Sequence, residues 1–176
     1  MKLKALIVVL AGALVLGACS QKTEGSTKKG SAKSIPVVAE PVKLDLQLPI
    51  YGSDKVWKSQ DYEGKPILIA IMATWCPWCK RSLAALDKTA EAYAGKVEVV
   101  GVFDGTDLDE IGKIKEEYQI KTKILYDGRT AMNKLDAGGF PYIILFDKKH
   151  GWVRAWEGYS SDLAEKYAQE IDKLLK

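Results

Sequence analysis

The amino-acid sequence predicts an α/β fold, a mixed central sheet flanked by helices on both faces. Residues 67–73 are apolar at every position, which is typical of a strand covered on both faces. Strand and helix patterns alternate through the middle of the chain, and this alternation favours a layered sheet. Two strand patterns around the turn at 147–151 predict a hairpin near the C-terminus. A chain of 176 residues suits one such domain.

The predicted domain begins with a short hairpin. Residues 43–48 alternate apolar and polar side chains, and residues 55–57 follow the turn Gly52-Ser53-Asp54 as the partner strand. The apolar strand at 67–73 comes next. After it, apolar side chains recur at spacings of three and four, which predicts a helix over about 77–94 with one face toward the sheet. These side chains are Leu83, Leu86, Ala90 and Tyr93.

The alternation continues to the C-terminus. Thr106 is the predicted N-cap of the helix that follows the second buried strand, since an acidic first turn comes after it. Ser160 or Ser161 is the predicted N-cap of the last helix. The predicted elements of this half are a strand at 97–103, a helix at 107–118, a strand at 124–126, a helix at 129–135, strands at 142–146 and 152–157, and a helix to about 175.

The N-terminal residues differ in kind from the rest. Two lysines precede an apolar run at 5–17, which is too short to span a bilayer and has the length of a secretory signal core. The run ends in Leu16-Gly17-Ala18-Cys19, which resembles a bacterial lipobox. We therefore predict a lipoprotein signal peptide at 1–18 and lipidation of Cys19. An ordinary signal peptide with an incidental Cys19 is the alternative.

Residues 19–42 lack hydrophobic periodicity and are rich in Gly, Ser, Thr and Lys, which predicts a flexible tether to a domain at 43–176. A lipid-anchored chain would lie in the cell envelope outside the cytoplasm, on the periplasmic side in a cell with two membranes, where disulfides persist. From Leu44 onward the charge is close to neutral, so we expect no nucleic-acid partner. We expect a monomer.

Cys76 and Cys79 stand between the apolar strand and the predicted helix. A structural zinc site needs four ligands, and the mature chain offers only these two cysteines and His150 beside a lipidated Cys19. Haem attachment needs a histidine directly after the second cysteine, where the chain has Lys80. A disulfide that closes so short a loop stabilises little. These arguments favour a redox pair over an inert one, with no metal and no cofactor.

The position of Cys76 also favours thiolate chemistry. At the start of a helix, unpaired N–H groups and the helix dipole stabilise negative charge. Pro77 suits the first helical turn because it has no N–H to leave unpaired. Lys80 and Arg81 add positive charge nearby.

The motif Trp75-Cys76-Pro77-Trp78-Cys79-Lys80 after an apolar strand, with Phe140-Pro141 ahead of another strand, resembles the thioredoxin fold. The N-terminal hairpin, the run GKPILIAIMATWCPWCK and the lipobox resemble more narrowly the membrane-tethered thiol-disulfide oxidoreductases of the TlpA/ResA/DsbE type. The resemblance covers roughly 43–176. It implies a thioredoxin-like fold with an added N-terminal β-hairpin.

The resemblance implies a role for each matching residue. Cys76 would be the nucleophile that attacks a substrate disulfide, and Cys79 the resolving thiol that breaks the mixed disulfide. Pro141 would be a cis-proline beside the pair, with the Phe140 backbone free to pair with an extended substrate. The residues implied in substrate binding are Trp75, Pro77, Trp78, Phe140 and Pro141.

Two acids that such proteins use are missing. An acid six residues before the first cysteine is replaced by Ala70, and a glutamate three residues after the second cysteine is replaced by Ser82. The proton acceptor for Cys79 is therefore open. Asp104, at the end of the neighbouring strand, is either a substitute or a turn residue, and we favour the turn residue; water is the remaining acceptor.

The resemblance implies protein thiols and disulfides as substrates and a membrane thiol protein as electron donor. It favours a reductant, for example in cytochrome c maturation or in the repair of exported thiols. The dipeptide Pro77-Trp78 is neither the Gly-Pro of a typical thioredoxin nor the Pro-His of a strong oxidant, so a disulfide oxidase or isomerase stays open. A non-enzymatic peptide-binding lipoprotein that uses Trp75, Trp78 and Phe140 is the other alternative.

Overall fold

The structure is a computed structural model that describes residues 33–35 and 43–176. The predicted signal peptide, the predicted lipidation site Cys19 and most of the predicted tether lie outside the described residues. Strand β1, Lys33–Ile35, falls inside the predicted tether. The sheet therefore takes one strand from a segment for which the sequence predicts no element.

The described elements follow the predicted order, with one short 3₁₀ helix that the sequence analysis does not predict. The strands after β1 are β2 Gln47–Pro49, β3 Val56–Lys58, β4 Ile67–Met72, β5 Glu98–Phe103, β6 Lys123–Leu125, β7 Tyr142–Phe146 and β8 Trp152–Glu157. The helices are the 3₁₀ turn Ser59–Tyr62, α1 Pro77–Ala92, α2 Leu108–Glu117, α3 Gly128–Leu135 and α4 Leu163–Leu175.

The main sheet is mixed, as predicted. Its six strands lie in the order β1-β8-β7-β4-β5-β6. Strands β4, β5 and β6 are parallel, whereas β7 runs antiparallel to β4 and to β8. Strands β2 and β3 form the separate antiparallel hairpin predicted at the start of the domain. Because β4 lies between a parallel and an antiparallel neighbour, its end meets the end of β5 and the beginning of β7.

The fully buried strand β4 divides the interior into two cores. Leu68, Ala70 and Met72 face a core shared with α1, α2 and α4. The alternate residues face a core shared with α3 and the β2–β3 hairpin. This alternation is the period of two that a strand imposes on its side chains. The predicted helices on both faces of the sheet are confirmed.

Strands β8 and β6 are both paired along their outer sides. β1 pairs antiparallel with β8. On the other side, the Tyr51 N–H donates to the Ile124 carbonyl at 2.9 Å, and the Tyr126 N–H donates to the Pro49 carbonyl at 3.2 Å. The segment that joins β2 to β3 therefore runs along β6.

Two predicted helix caps are wrong. The N-cap of α2 is Asp107, whose carboxylate accepts the Glu110 N–H at 3.0 Å, and Thr106 stands one residue too early. A carboxylate is the stronger acceptor at a helix start because its charge also suits the helix dipole. The N-cap position of α4 is Asp162, and the Ser160 hydroxyl donates to its carboxylate at 2.5 Å.

Within the described residues, no helix is both long and apolar enough to cross a membrane.

Candidate active site

The cysteine pair lies where β4 gives way to α1. Cys76 is the N-cap residue of α1, and Pro77 is its first residue. A turn is closed by the Cys76 N–H, which donates to the Ala73 carbonyl at 3.1 Å. Pro77 has the backbone angle of the first helical turn and no N–H to leave unpaired, so the local sequence favours a helix that starts directly after Cys76.

One hydrogen bond joins the two cysteines. The Cys79 N–H donates to the Cys76 sulfur at 3.2 Å, and both residues are free thiols. This N–H belongs to the first turn of α1, where the helix dipole also favours negative charge. The geometry therefore stabilises a thiolate on Cys76.

The two thiols have different surroundings. Cys76 is 4% exposed and lies at the helix start, whereas Cys79 is 0% exposed. Burial raises the pKa of the Cys79 thiol far above its ordinary value, and the hydrogen bond with Cys76 raises it further. Cys79 therefore keeps its proton at neutral pH. An attacking thiolate at Cys76 and a protected thiol at Cys79 are the arrangement that the predicted roles need.

The Phe140–Pro141 segment lies beside the cysteine loop. The peptide bond between these residues is cis. β7 begins directly afterwards, and its first residue, Tyr142, pairs with Ile71 near the end of β4. The Gly158 N–H donates to the Pro141 carbonyl at 2.9 Å. The sheet register thus brings the predicted cis-proline to the same edge of the sheet as Cys76.

Four aromatic side chains surround the cysteines, and we call them the aromatic rim: Trp75, Trp78, Phe140 and Tyr159. Trp75 is 69% exposed and Trp78 is 50% exposed. The rings of Trp75 and Phe140 meet edge to face with centroids 5.7 Å apart. The rings of Trp78 and Tyr159 stack at 5.9 Å, and the Arg81 guanidinium lies 4.7 Å from the Trp78 centroid. Of the three predicted rim residues, Trp75 and Phe140 are thus in contact, whereas Trp78 contacts Tyr159 and Arg81 instead.

Tyr159 is a rim residue that the sequence analysis misses. It follows Gly158 at the end of β8. The predicted hairpin contains the signal that could have found it, because the end of β8 must lie beside the beginning of β7. Pro77, the remaining predicted substrate-binding residue, is exposed at the first turn of α1.

The positions of the two missing acids are buried and carry no carboxyl group. Ala70 and Ser82 are both 0% exposed, and the Ser82 hydroxyl donates to the Trp78 carbonyl at 2.9 Å. Asp104 directly follows β5, and its carboxylate pairs with Arg129 at 3.3 Å while its N–H donates to the Met72 carbonyl. These contacts favour Asp104 as a turn residue held by an ion pair.

A second missed feature links the cysteine loop to α2. The hydroxyl of Thr74, two residues before Cys76, donates to the Glu110 carboxylate at 2.7 Å. Thr74 is buried, and Glu110 lies in the first turn of α2. The two residues are 36 positions apart, so spacing along the chain gives no signal for this contact. In the sequence, the acidic first turn of the helix after β5 is the one feature that could have indicated a carboxylate near the cysteine loop.

His150 lies away from the cysteines, in the turn between β7 and β8. It is 0% exposed, and both of its ring nitrogens lack a hydrogen-bond partner.

Across residues 33–35 and 43–176, no group of three His, Cys, Asp or Glu side chains is arranged to hold a metal ion.

Comparison with known proteins identifies the relatives of the chain. A family model described as the AhpC/TSA family matches residues 41–173. The chain is 29% identical over 122 residues to the thioredoxin-like protein YneN of Bacillus subtilis, a match that covers 68% of this chain and 71% of YneN. It is 32% identical over 120 residues to the thiol:disulfide interchange protein DsbE of Escherichia coli K12, covering 61% and 63% of the two chains.

Solved structures show the same fold. A protein from Chlorobium tepidum, assigned as the thiol:disulfide interchange protein DsbE, superposes with a TM-score of 0.71 at 21% identity, covering 80% of this chain and all of the other. A DsbF homologue from Corynebacterium diphtheriae gives a TM-score of 0.68 at 19% identity, covering 88% and 98%. These structures confirm the predicted thioredoxin-like fold. The family match and the curated relatives confirm the DsbE-like resemblance and the class of thiol-disulfide oxidoreductase.

Proposed function

We propose that this chain, which belongs to the AhpC/TSA family, exchanges a Cys76–Cys79 dithiol or disulfide with protein substrates. The observation that carries the proposal is the hydrogen bond from the Cys79 N–H to the Cys76 sulfur at a helix start, 3.2 Å long. It places a hydrogen-bond donor on the Cys76 sulfur, while burial keeps Cys79 protonated. This difference between the two thiols is expected of a redox pair and not of two inert thiols.

The reduction of a substrate disulfide follows in two exchanges. The Cys76 thiolate attacks one substrate sulfur, the substrate S–S bond breaks, and a mixed disulfide forms while the other substrate sulfur leaves as a thiolate. Cys79 then gives up its proton and attacks the Cys76 sulfur, which closes the Cys76–Cys79 disulfide and releases the second substrate sulfur. Two electrons and the Cys79 proton pass to the substrate, and the second proton comes from the solvent because Cys76 begins as a thiolate. The departing substrate thiolates accept protons, so the reaction balances without a carboxylate at position 70 or 82.

The aromatic rim supports a polypeptide as the substrate. Trp75 and Trp78 present large apolar surfaces on either side of a nearly buried thiol. Contiguous exposed apolar side chains of this size mark interaction sites in soluble domains. Together with the exposed Pro77 and the Phe140–Pro141 segment, they form a surface suited to an extended chain that presents one cysteine.

We propose that the pair acts as a reductant outside the cytoplasm. The resemblance to the tethered oxidoreductases supports this direction, and so does the absence of a histidine between the cysteines. The N-terminal sequence supports a lipid anchor at Cys19. In this scheme a membrane thiol protein supplies the electrons, and apocytochrome cysteines or other exported thiols receive them.

The test of the function combines activity with a potential. We expect Cys76→Ser to abolish insulin-disulfide reduction and Cys79→Ser to accumulate mixed disulfides, because the resolving thiol is gone. Equilibration of the parent chain against defined glutathione or dithiothreitol ratios should give a reduction potential near about −250 mV or below. A potential near about −120 mV would instead mark an oxidase. Mixed disulfides that accumulate in Cys76→Ser would reverse the two roles.

The anchor needs a separate test. The full chain, expressed with labelled palmitate in a bacterium, should incorporate the label and sediment with membranes. We expect Cys19→Ala to lose both properties while the purified domain keeps its insulin reductase activity. Labelled Cys19→Ala protein would reject the anchor without affecting the proposed chemistry.

A further inference from the structure

We propose that Glu110, through its hydrogen bond with the Thr74 hydroxyl, is a positioning residue for the Cys76 thiol. The inference rests on the proposed function and extends it, because it assigns to α2 a part in a site otherwise built from the start of α1. The supporting contacts are all between described side chains and do not depend on the identity of the substrate.

The loop before Cys76 is fixed at two points. The Cys76 N–H donates to the Ala73 carbonyl, which closes the turn within the loop. The Thr74 side chain is 8% exposed, and its hydroxyl donates to Glu110 Oε2 at 2.7 Å. A hydrogen bond from a hydroxyl to a carboxylate is roughly twice as strong as one between neutral groups. The loop is therefore tied to a different element two residues before the thiol.

The other end of this tie is rigid. Glu110 is the third residue of α2, and its own N–H donates to the Asp107 carboxylate at 3.0 Å. Ile111 and Ile114 of α2 pack into the same core as Cys79. A negative charge in the first turn also suits the dipole of α2. Glu110 is thus held by a cap, by packing and by charge, and it can hold Thr74 in turn.

The position of the loop determines how well the thiolate is stabilised. The Cys76 sulfur accepts the Cys79 N–H at 3.2 Å, which is a short contact for a sulfur acceptor and depends on where the loop holds Cys76. If Thr74 is released, the loop can move and this bond lengthens. The thiolate then loses stabilisation, and Cys76 reacts more slowly at neutral pH.

A direct electrostatic effect would act in the opposite direction. A carboxylate close to Cys76 repels a thiolate, so removal of the charge alone would make Cys76 more reactive. Positioning depends on the hydrogen bond, whereas repulsion depends on the charge. The variants Glu110→Gln, which keeps an acceptor, and Glu110→Ala, which removes it, separate the two effects.

The experiment measures the alkylation rate of Cys76 by iodoacetamide across a pH series, on the full chain, with the modified peptide identified by mass spectrometry. We expect Thr74→Val and Glu110→Ala to slow the reaction roughly five- to tenfold at neutral pH, with a midpoint moved to higher pH. Thr74→Ser and Glu110→Gln should stay close to the parent rate. The double variant should be no slower than either single variant, because both remove the same bond.

Asp109→Ala is the matched control, since Asp109 is an exposed acid in the same turn of α2. Thermal unfolding of every variant checks that the fold persists, and the Ser and Gln variants keep the test valid if the larger changes unfold the domain. Parent-like rates in Thr74→Val and Glu110→Ala would overturn the proposal. So would faster alkylation in both Glu110 variants with no change in Thr74→Val. An inactive parent chain in the insulin assay, with this pattern intact, would reject the proposed function and keep the positioning role.

Discussion

The two tryptophans of the cysteine motif are exposed, whereas two tryptophans of the core are buried. Trp57 and Trp156 are 1% and 2% exposed, whereas Trp75 and Trp78 are 69% and 50% exposed. Trp57 donates its ring N–H to Glu98 at 3.0 Å, and Trp156 packs edge to face on Tyr167. The first pair contributes burial to folding, and the second pair leaves its surface in water. An exposed pair beside a reactive thiol is explained by a partner more readily than by the fold.

The largest expected effect is on stability, and it separates the two pairs directly. Trp156→Ala should lower the free energy of unfolding by about 3–5 kcal/mol, because it opens a cavity in a packed core. The same change at Trp75 removes little buried surface and should alter stability by less than about 0.5 kcal/mol. Urea unfolding of both variants measures the difference. Equal losses in the two variants would contradict the division into core and rim.

A smaller effect is expected at the polar end of the buried Trp57. Trp57→Phe keeps most of the apolar contact with Tyr62 but removes the hydrogen bond to Glu98. The carboxylate retains Lys123 as a partner, so we expect a loss of about 1–2 kcal/mol. The double variant Trp57→Phe, Glu98→Ala should lose less stability than the sum of the two single variants, because each single change removes the same hydrogen bond. Strict additivity of the two changes would show that the bond contributes little.

The burial of Cys79 gives the stability of the reduced chain a pH dependence. Burial raises the pKa of Cys79 in the folded chain above its ordinary value of 9.0. Its contribution to stability is therefore complete below about pH 9 and is lost as pH rises further, because the unfolded chain releases this proton first. We expect the reduced chain to lose about 1 kcal/mol by one pH unit above that value, relative to the oxidised chain, in which Cys79 has no proton to lose. Parallel pH profiles for the two redox forms would argue against a buried, protonated Cys79.

The smallest expected effect on stability accompanies a change in substrate binding. Trp75→Ala should raise the KM for insulin, or for a peptide that contains a disulfide, by about threefold or more, while kcat changes less. Trp78→Ala should change both KM and stability, because Tyr159 and Arg81 contact the Trp78 ring and lose that contact. Steady-state kinetics on both variants compares them. A KM unchanged in both would remove the aromatic rim from substrate binding.

Much of the fold follows from patterns that are local in the sequence. The apolar run that forms β4, and the spacing of three and four that forms α1, place the elements without knowledge of their partners. The same holds for the cysteines, because a strand, a pair of thiols and Pro77 in succession define a strand-to-helix junction. The position of Cys76 at a helix start could therefore be predicted from its neighbours alone. The two residues between the cysteines place Cys79 in the first turn of the same helix.

The features that the sequence analysis missed depend on contacts between distant segments. The bond between Thr74 and Glu110 exists because β4 and β5 are neighbours, which no local pattern states. Tyr159 joins the aromatic rim for the same kind of reason, through the pairing of β7 with β8. The cap at Asp107 was missed by one residue, since threonine and aspartate both suit that position and only the geometry distinguishes them.

Under the proposed function the substrates are polypeptides, and the pairing of β8 and β6 on their outer sides then has a further consequence. An open sheet edge is a template on which an extended polypeptide can add itself as a further strand, and such additions lead to aggregation. Here β1 lies along β8, and the segment from Pro49 to Tyr51 lies along β6. The edges of β8 and β6 are thereby not free to pair with a substrate chain, whereas the loops at the ends of the strands, where the reactive sulfur lies, are accessible. In the proposed exchange, the substrate is held by one sulfur–sulfur bond until Cys79 breaks it.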